Sequence, residues 1–217
     1  MNLRILSVNI GRPRIIGYIH GEPVRSGIAK AAVSGDSVFV GEINIHGDAQ
    51  ADLSVHGGPD KAVYAYPADH WRWWESEHSL ACAANTFGEN LTLEGADETQ
   101  VSIGDRFRWG ACILEVSQPR GPCYKLALHT QRADTPTLMA LSGRCGWYLR
   151  VIAEGDAPTA HGTIERIHES GGPNVRDSFF AAYDPRMEKA RKMEIARAPA
   201  LAREWRGAVL KRLGISR

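Results

Sequence analysis

The segment from Gln118 to Lys125, QPRGPCYK, places one thiol between two fixed cations. Pro122 is suited to the first turn of a helix, because a residue there has no intrahelical partner for an N–H group. A helix that begins here puts Cys123 beside unpaired backbone N–H groups, which favour a thiolate. The neighbouring cations, Arg120 and Lys125, favour it further. The segment therefore predicts that Cys123 is either a nucleophile or a metal ligand.

A second segment with chemical potential is GDAQADLSVHGGPDKAV, residues 47–63. Its Gly57-Gly58-Pro turn predicts a tight loop whose backbone N–H groups can approach an anion closely. Lys61 would add a point charge for a phosphate, and His56 a donor or acceptor that changes near neutral pH. A purely structural turn between strands fits the same residues.

Acidic and amide side chains form a third group. In FGENL, residues 87–91, Glu89 and Asn90 could offer a carboxylate and an amide at the mouth of a barrel, or simply form a turn that leads into a strand. Asp48 and Asp52 are expected to cap turns or to pair with Lys61 or His56.

The elements that must position these residues are mostly short strands with glycine-rich turns, which favours an α+β, mainly β fold built on a largely antiparallel barrel. Hairpins are expected at Val33–Val38, with Gly35 at positive φ, and at Trp109–Cys112. The predicted strands are Leu3–Val8, Ile28–Val33, Ser37–Ile43, Ala62–Tyr66, Asn90–Leu93, Arg106–Trp109, Cys112–Ser117, Trp147–Ala153 and Gly162–His168. The predicted helices within this region are Pro67–His78, whose tryptophans are expected to pack on the barrel, Pro122–His129 and Pro136–Ser142.

After the Gly171-Gly172-Pro173 turn the pattern becomes helical, with segments Asn174–Tyr183, Arg186–Ala198 and Ala200–Leu213. The sequence thus predicts a β-barrel domain over residues 1–170 and a three-helix domain over residues 171–217. The helical part is basic, but its acids are interleaved with the cations, so binding of nucleic acid is not expected.

Composition and missing motifs limit the functions. The chain has 217 residues, 43% of them hydrophobic, and a net charge of +1, which is typical of a soluble globular protein. It has no apolar run long enough to cross a bilayer and no signal peptide, so a cytoplasmic location without membrane association is expected. The four cysteines form no CxxC pair, and GxGxxG, P-loop, HExxH and GxSxG motifs are absent.

The runs GDAQADLSVHGGPDKAV, FGENL, IGDRF and QPRGPCYK have the order and spacing of the MOSC domain, the family named for the C-terminal region of molybdenum cofactor sulfurases. With its helical extension, the chain resembles the YiiM-type subgroup of that family over nearly its whole length. The resemblance implies a β-barrel with a pocket for molybdopterin, the pterin-based molybdenum cofactor.

The resemblance also implies roles for individual residues. Cys123 matches the cysteine whose thiolate is the protein ligand to molybdenum, and Gly121 falls at a variable position that is expected to be permissive. The implied cofactor-binding residues are Gly57, Gly58, Lys61, Glu89, Asn90, Arg120 and Lys125. His56 is the expected proton donor in catalysis, and pyridoxal phosphate is not an expected cofactor.

The activity implied by the subgroup is an oxidoreductase that reduces N-hydroxylated compounds, such as 6-N-hydroxylaminopurine-type base analogues, by N–O cleavage. Because no nucleotide motif is present, electrons would come from a separate reductase. Three alternatives remain at this point: a carrier of molybdenum cofactor or sulfur on Cys123, a binding module that uses the basic helices, and a cysteine hydrolase with His56 or His129 as the base.

Overall fold

The computed structural model describes residues 1–51, 57–159 and 162–215. The strands in these ranges are β1 Asn2–Ile10, β2 Arg14–Ile19, β3 Glu22–Ser26, β4 Ala31–Ala32, β5 Ser37–Gly41, β6 Asn44–Ile45, β7 Val63–Pro67, β8 Leu91–Glu94, β9 Arg106–Trp109, β10 Cys112–Pro119, β11 Trp147–Ala153, β12 Gly155–Pro158 and β13 Thr163–His168. The helices are α1 Trp71–His78, α2 Tyr124–Thr130, α3 Thr135–Ser142, α4 Val175–Tyr183, α5 Lys189–Ala196 and α6 Arg203–Arg212, with 3-10 turns at Pro59–Lys61 and Ala68–His70.

Seven of the described strands close a barrel in the order β13, β9, β10, β11, β7, β8 and β1. The sheet closes where β1 pairs with β13, with Leu3 opposite Ile164. The β7–β8 pair is parallel, and the other pairs of the barrel are antiparallel. The predicted α+β, mainly β barrel is therefore confirmed.

Alternating side chains fill the barrel. In β9 the side chains of Phe107 and Trp109 are fully buried, whereas Arg106 and Arg108 face outward, as expected from the two-residue period of a strand. Burying each such large apolar side chain contributes on the order of 1.5–3 kcal/mol. The barrel core thus supports the loops at its rim.

The region between residues 14 and 38 differs from the sequence prediction. A hairpin of β2 and β3 was missed; positive φ at His20 and Gly21 gives it the two-residue turn that matches strand twist. The predicted Val33–Val38 hairpin is wrong, because β4 pairs with β1 while β5 pairs with β12 and β6. Gly35 accordingly does not have positive φ.

The tryptophan-rich helix begins later than predicted. Pro67 is the last residue of β7, and a 3-10 turn precedes α1. Trp74 is fully buried, and its indole N–H donates to the hydroxyl of Tyr66 over 2.6 Å. The expectation that this helix packs on the barrel is confirmed.

The three C-terminal helices lie against the barrel. The N–H of Ala202 donates to the carbonyl of Ser117 in β10 over 2.9 Å. Phe179, Ile195 and Val209 are fully buried and belong to the same apolar cluster as the barrel interior. The division into two domains at residues 170 and 171 stays a prediction.

Within the described ranges, no helix has the length and apolar character that crossing a bilayer requires.

A steric prediction concerns Gly146, which precedes β11 with φ 66°. A Cβ there would lie 2.3 Å from the carbonyl oxygen of Ala65, whereas at Gly171, which has the same φ, a Cβ would meet nothing within 4 Å. We expect Gly171→Ala to lower the free energy of unfolding by about 1 kcal/mol, the cost of a left-handed alanine. Gly146→Ala should lower it by a further ~2 kcal/mol or more, because backbone must move. Urea denaturation of both variants measures the difference, and equal losses would contradict the steric argument.

Candidate functional site

Cys123 lies at the start of α2, as its N-cap residue in an extended conformation. Its side chain makes no capping hydrogen bond with the helix. Pro122 precedes the cap, so the expectation that it occupies the first helical turn is wrong by two residues. Since α2 has only seven residues, its dipole is short, and the side-chain cations around Cys123 matter more for the thiol.

A cavity of about 90 Å³ lies beside this thiol, at the rim of the barrel. Its walls come from the β3–β4 loop, the segment after β6, the β7–β8 connection and the ends of β10 and β11. The lining residues are Ser26, Gly27, Ile28, Lys30, Asp48, Ala49, Gln50, Ala51, Lys61, Tyr64, Phe87, Gly88, Asn90, Arg120, Gly121, Cys123, Lys125 and Tyr148. The structure thus brings together Cys123 and the predicted residues Lys61, Asn90, Arg120 and Lys125.

Arg120 is the most informative cation of this cavity. Only 4% of its surface is exposed, yet among the residues that the structure describes it has no carboxylate partner. Its guanidinium donates to the sulfur of Met139 over 3.3 Å and lies 5.7 Å from the ring centre of Tyr64. Burial lowers the pKa of Arg120, but the attraction of Tyr64, Cys123 and other acidic groups outweighs burial and raises it overall. The arginine stays charged, and no carboxylate of the described residues neutralises it.

Lys30 is a cavity residue that the sequence did not indicate. Its ammonium contacts both carboxylate oxygens of Asp48, over 2.6 and 2.7 Å, and both side chains are almost fully buried. Burial lowers the pKa of Lys30, with the charge of Asp48 opposing the shift. The expectation that Asp48 pairs with Lys61 is therefore wrong, because Lys30 takes its carboxylate, whereas pairing with His56 lies outside the described residues. The same carboxylate accepts from the backbone N–H of Gly11 over 2.8 Å and from Nδ2 of Asn90 over 2.9 Å.

Asn90 serves both the strand and the cavity. Besides Asp48, its Nδ2 donates to the carbonyl of Asn9, and its Oδ1 accepts from the N–H of Tyr64. The amide is thus fully used inside the protein. Asn90 lies in the cavity wall, as predicted, but it holds the wall in place and offers no free group of its own.

Glu89 does not line the cavity, contrary to the prediction of a carboxylate at its mouth. The side chain is fully buried and accepts from the N–H groups of Asn85 and Phe87 and from the hydroxyl of Thr92, over 2.7–3.0 Å. Burial raises the pKa of Glu89, and these donors oppose the shift. Its carboxylate organises the turn that leads into β8.

Lys61 lies in the cavity wall and contacts Glu204 of α6, with Nζ 2.6 Å from Oε2. Gly58 precedes the 3-10 turn with φ 96°, a conformation that favours glycine. Gly57 and Gly58 line a separate, larger cleft and do not line the thiol cavity. His56 and Asp52 lie outside the described residues.

The three other cysteines are less suited to chemistry. Burial raises the pKa of Cys82 and of Cys112 to about 12, with nearby carboxylates adding to the shift. Burial raises the pKa of Cys145 well above its ordinary value. These groups stay protonated thiols at neutral pH, which leaves Cys123 as the sulfur that lines the cavity.

Two tyrosines of the cavity were also missed. Burial raises the pKa of Tyr148 to about 12, with Arg120 opposing, and raises that of Tyr64 well above its ordinary value. The Tyr64 hydroxyl donates to the carbonyl of Cys145 over 2.8 Å. Both therefore hold their protons at neutral pH. The sequence did predict the strand that contains Trp147 and Tyr148. It did not show that Tyr148 lines the cavity while Trp147 packs in the core.

The C-terminal helices contact the segment that carries the thiol. A Cβ at Gly121 would lie 3.3 Å from the hydroxyl of Tyr183 in α4 and 3.5 Å from the ring of Trp205 in α6. The expectation that Gly121 is permissive is thus only partly right, because any side chain there requires Tyr183 to shift.

His129, considered as the base of a cysteine hydrolase, has another role. Its Nε2 bonds the carbonyl of Asn85 over 3.0 Å, and burial lowers its pKa. In the described ranges, no histidine lines the cavity, and no group of three His, Cys, Asp or Glu side chains could hold a metal ion.

Sequence and structure comparisons with known proteins identify the family of this chain. The profile of the MOSC domain matches residues 52–164. The protein YiiM of Escherichia coli is 35% identical over 208 residues, which cover 94% of this chain and 91% of that protein. The chain belongs to the MOSC domain family. It belongs to the YiiM-type subgroup and carries a domain like that of molybdenum cofactor sulfurases.

Two further relatives extend the comparison. The crystal structure of YiiM from Geobacillus stearothermophilus has a TM-score of 0.80 and 33% identity, and the match covers 97% of this chain and 99% of that one, including the C-terminal helices. A protein of Gibberella moniliformis named "Reductase" is 34% identical over 156 residues, which cover 70% of this chain but only 27% of that protein.

The Lys30–Asp48 pair yields a stability prediction. Asp48→Asn leaves a buried ammonium without its carboxylate, so we expect the free energy of unfolding to fall by about 3–5 kcal/mol. Glu94→Gln breaks the exposed Arg4–Glu94 pair and should cost less than about 1 kcal/mol. Urea titration of both variants makes the comparison, and similar losses would show that the buried pair is not held as described.

Proposed function

We propose that this chain binds the molybdenum cofactor in the cavity beside Cys123 and reduces N-hydroxylated compounds by cleaving their N–O bond. The single observation that carries the proposal is the cavity itself: it combines a thiol with a buried guanidinium, Arg120, that has no protein anion among the described residues.

The charge of the cavity fits a phosphate-bearing ligand. Four cations line it, Lys30, Lys61, Arg120 and Lys125, whereas Asp48 is the carboxylate in its described wall, and Lys30 already neutralises that group. A buried charge is costly unless it is paired, so the uncompensated Arg120 favours an anion that enters from outside. Guanidinium groups bind phosphate strongly through paired hydrogen bonds.

The thiol fits the metal of the same cofactor. When bound, the cofactor supplies a molybdenum centre that is held by dithiolene sulfurs and exchanges two electrons. Cys123 is a soft donor that suits such a metal. The absence of a three-residue metal cluster in the described ranges agrees with a metal that brings its other ligands with it.

The proposed reaction needs two protons. The N–O bond breaks, two electrons and two protons are consumed, the oxygen leaves as water, and the nitrogen gains one hydrogen. Tyr148 holds a proton on its hydroxyl in the cavity wall throughout the neutral range and can donate a hydrogen bond to the leaving oxygen. His56 remains the proposed proton donor on the glycine loop.

The electrons would come from a separate reductase. The relative named "Reductase" is several times longer than its match to this chain, so it has room for further domains. This supports the proposal that a MOSC domain of this type works with an electron-delivering protein or domain. Small N-hydroxylated molecules such as 6-N-hydroxylaminopurine are the proposed substrates.

The function is tested by producing the protein in a host that makes the cofactor, with Cys123→Ser and Cys82→Ser as a matched pair. We expect the wild type and Cys82→Ser to bind molybdenum and to reduce hydroxylamine with an artificial electron donor. Cys123→Ser should lose most of the metal and the activity. Metal analysis and a reduction assay report both quantities. Wild-type protein that is free of metal and inactive would contradict the proposal, and a stable persulfide on Cys123 would instead indicate a sulfur carrier.

Arg120 gives a second, independent prediction. Because its charge is buried without a carboxylate partner in the described part of the chain, Arg120→Met should leave the free energy of unfolding of the cofactor-free protein unchanged or raise it, by up to about 3 kcal/mol. The same variant should bind less cofactor, since the phosphate loses its guanidinium.

The control for Arg120→Met is Arg166→Met. Arg166 contacts the fully buried carboxylate of Asp105 over 3.2 Å, so its loss should destabilise the protein by about 3–5 kcal/mol. Chemical denaturation measures both. If Arg120→Met were as destabilising as Arg166→Met, the arginine would already be paired within the protein.

A further inference from the structure

The hairpin formed by β2 and β3 carries exposed apolar side chains. Ile15, Tyr18 and Ile19 are between 38% and 64% exposed, although all three are large and lie within one strand. Among the described strands, β2 and β3 pair only with each other, so both outer edges of the hairpin are open. Open edges and clustered apolar side chains are typical of a surface that another molecule covers.

This hairpin adjoins the thiol cavity. Ser26, the last residue of β3, lines the cavity. Gly17 of β2 packs against α2, the helix whose N-cap is Cys123, because a Cβ at Gly17 would lie 3.3 Å from the side chain of Leu128. Tyr124 is one helical turn before Leu128 on the same face of α2 and is 55% exposed. We define the hairpin surface as Ile15, Tyr18, Ile19 and Tyr124.

The charge around the hairpin surface is positive. Arg12, Arg14 and Arg25 are exposed and form no salt bridge with any described residue. Glu22 is the one carboxylate between residues 11 and 26, so three arginines against one glutamate give this segment a net charge of +2. Such a surface attracts a partner whose face carries an excess of carboxylates. It repels a second copy of this chain, which would bring the same arginines.

We propose that the hairpin surface docks an acidic electron-carrier protein that holds a flavin or an iron–sulfur cluster. This inference rests on the proposed function, because cleavage of one N–O bond consumes two electrons that must come from outside the chain. Each turnover oxidises the carrier by two electrons in total, and the N–O bond accepts them together with two protons.

The position of the hairpin surface favours this partner over other polyanions. Electron transfer slows steeply with distance, so a carrier gains from docking next to Cys123. A nucleic acid or a lipid surface would gain nothing from being close to the thiol. Complexes of redox proteins bury little surface, commonly less than about 1,200 Å² in total, so one hairpin and the start of one helix are large enough.

The first test reverses charge. Arg12→Glu combined with Arg14→Glu alters the hairpin, and Lys189→Glu combined with Arg197→Glu is the matched control. Both control residues are exposed, lie in α5 or directly after it, and form no salt bridge with a described residue. The probes are two acidic carriers, flavodoxin and a [2Fe–2S] ferredoxin, and fluorescence anisotropy of the labelled carrier measures binding of the cofactor-free protein.

At low salt we expect the hairpin variant to bind at least one carrier about tenfold or more weakly than the wild type does. The control should stay within about twofold, although its net charge changes equally. At an ionic strength of about 0.5 M the difference should shrink, because salt screens exposed charges. A wild type that binds neither carrier, or a control that loses as much affinity as the hairpin variant, would overturn the proposal.

A second test addresses the apolar part. Tyr18→Ser should weaken carrier binding about 3- to 10-fold at high and low salt alike, because it removes apolar area from the interface. Leu141→Ser is the control, since Leu141 is 74% exposed and lies in α3, outside the hairpin surface. Sedimentation of the wild type should show a monomer. A dimer that Tyr18→Ser dissociates would show that a second copy covers this surface, which would overturn the proposal.

Failure of the docking surface is distinguishable from failure of the function. Hydroxylamine reduction by cofactor-loaded wild type with a small artificial donor reports on the proposed function alone, and the hairpin variants should keep it. With reduced flavodoxin or ferredoxin as the donor, the hairpin variants should be slower. Equal rates with the carriers would overturn the docking surface only. Carrier binding that depends on the hairpin, in a protein that reduces nothing, would support the surface and overturn the reductase.

Discussion

The buried guanidinium of Arg120 is the constraint on which the arrangement of this site depends. It follows β10 directly, and its backbone N–H bonds the carbonyl of Gly146, whose own N–H is held by the buried carboxylate of Glu98. The backbone at Arg120 is therefore fixed by the residue that directly precedes the neighbouring strand β11. A charge held this firmly, with aromatic rings and a methionine sulfur as its described neighbours, gives the rim of the barrel a permanent positive potential.

The barrel converts distant sequence positions into one surface. The thiol segment follows β10, Lys61 precedes β7, and Asn90 directly precedes β8, yet residues from all three places line the thiol cavity. Lys30 and Asp48 come from outside the seven strands, and the hydrogen bond from Asn90 to Asp48 ties their ion pair to the start of β8. The cavity is thus a product of strand order as much as of local motifs, and this explains how a chain without a three-residue metal cluster in its described ranges can still present a metal-compatible sulfur.

Particular elements show what the sequence could and could not predict. Strands β9 and β11 were predicted with their exact bounds, because alternating apolar residues and flanking turns mark them. Cys123 and Arg120 were found because their chemistry is concentrated in eight residues. Lys30 was missed because its significance lies in its ion pair with Asp48, which is 18 residues further along the chain. Glu89 was misjudged since a carboxylate that closes a turn and one that faces a ligand have the same local sequence. The residue type shows which chemistry a side chain can do. Its burial and its hydrogen-bond partners decide whether the side chain faces a ligand or serves the fold.

The contact of Tyr183 and Trp205 with Gly121 has a consequence for protein engineering. The helical extension packs against the loop that carries the thiol. Grafting the QPRGPCYK loop onto a barrel that lacks these helices would transfer the chemistry without its support, and exchanging the extension between relatives would change the loop's surroundings without altering one residue of the barrel. Barrel loop and extension are best treated as a single exchangeable module.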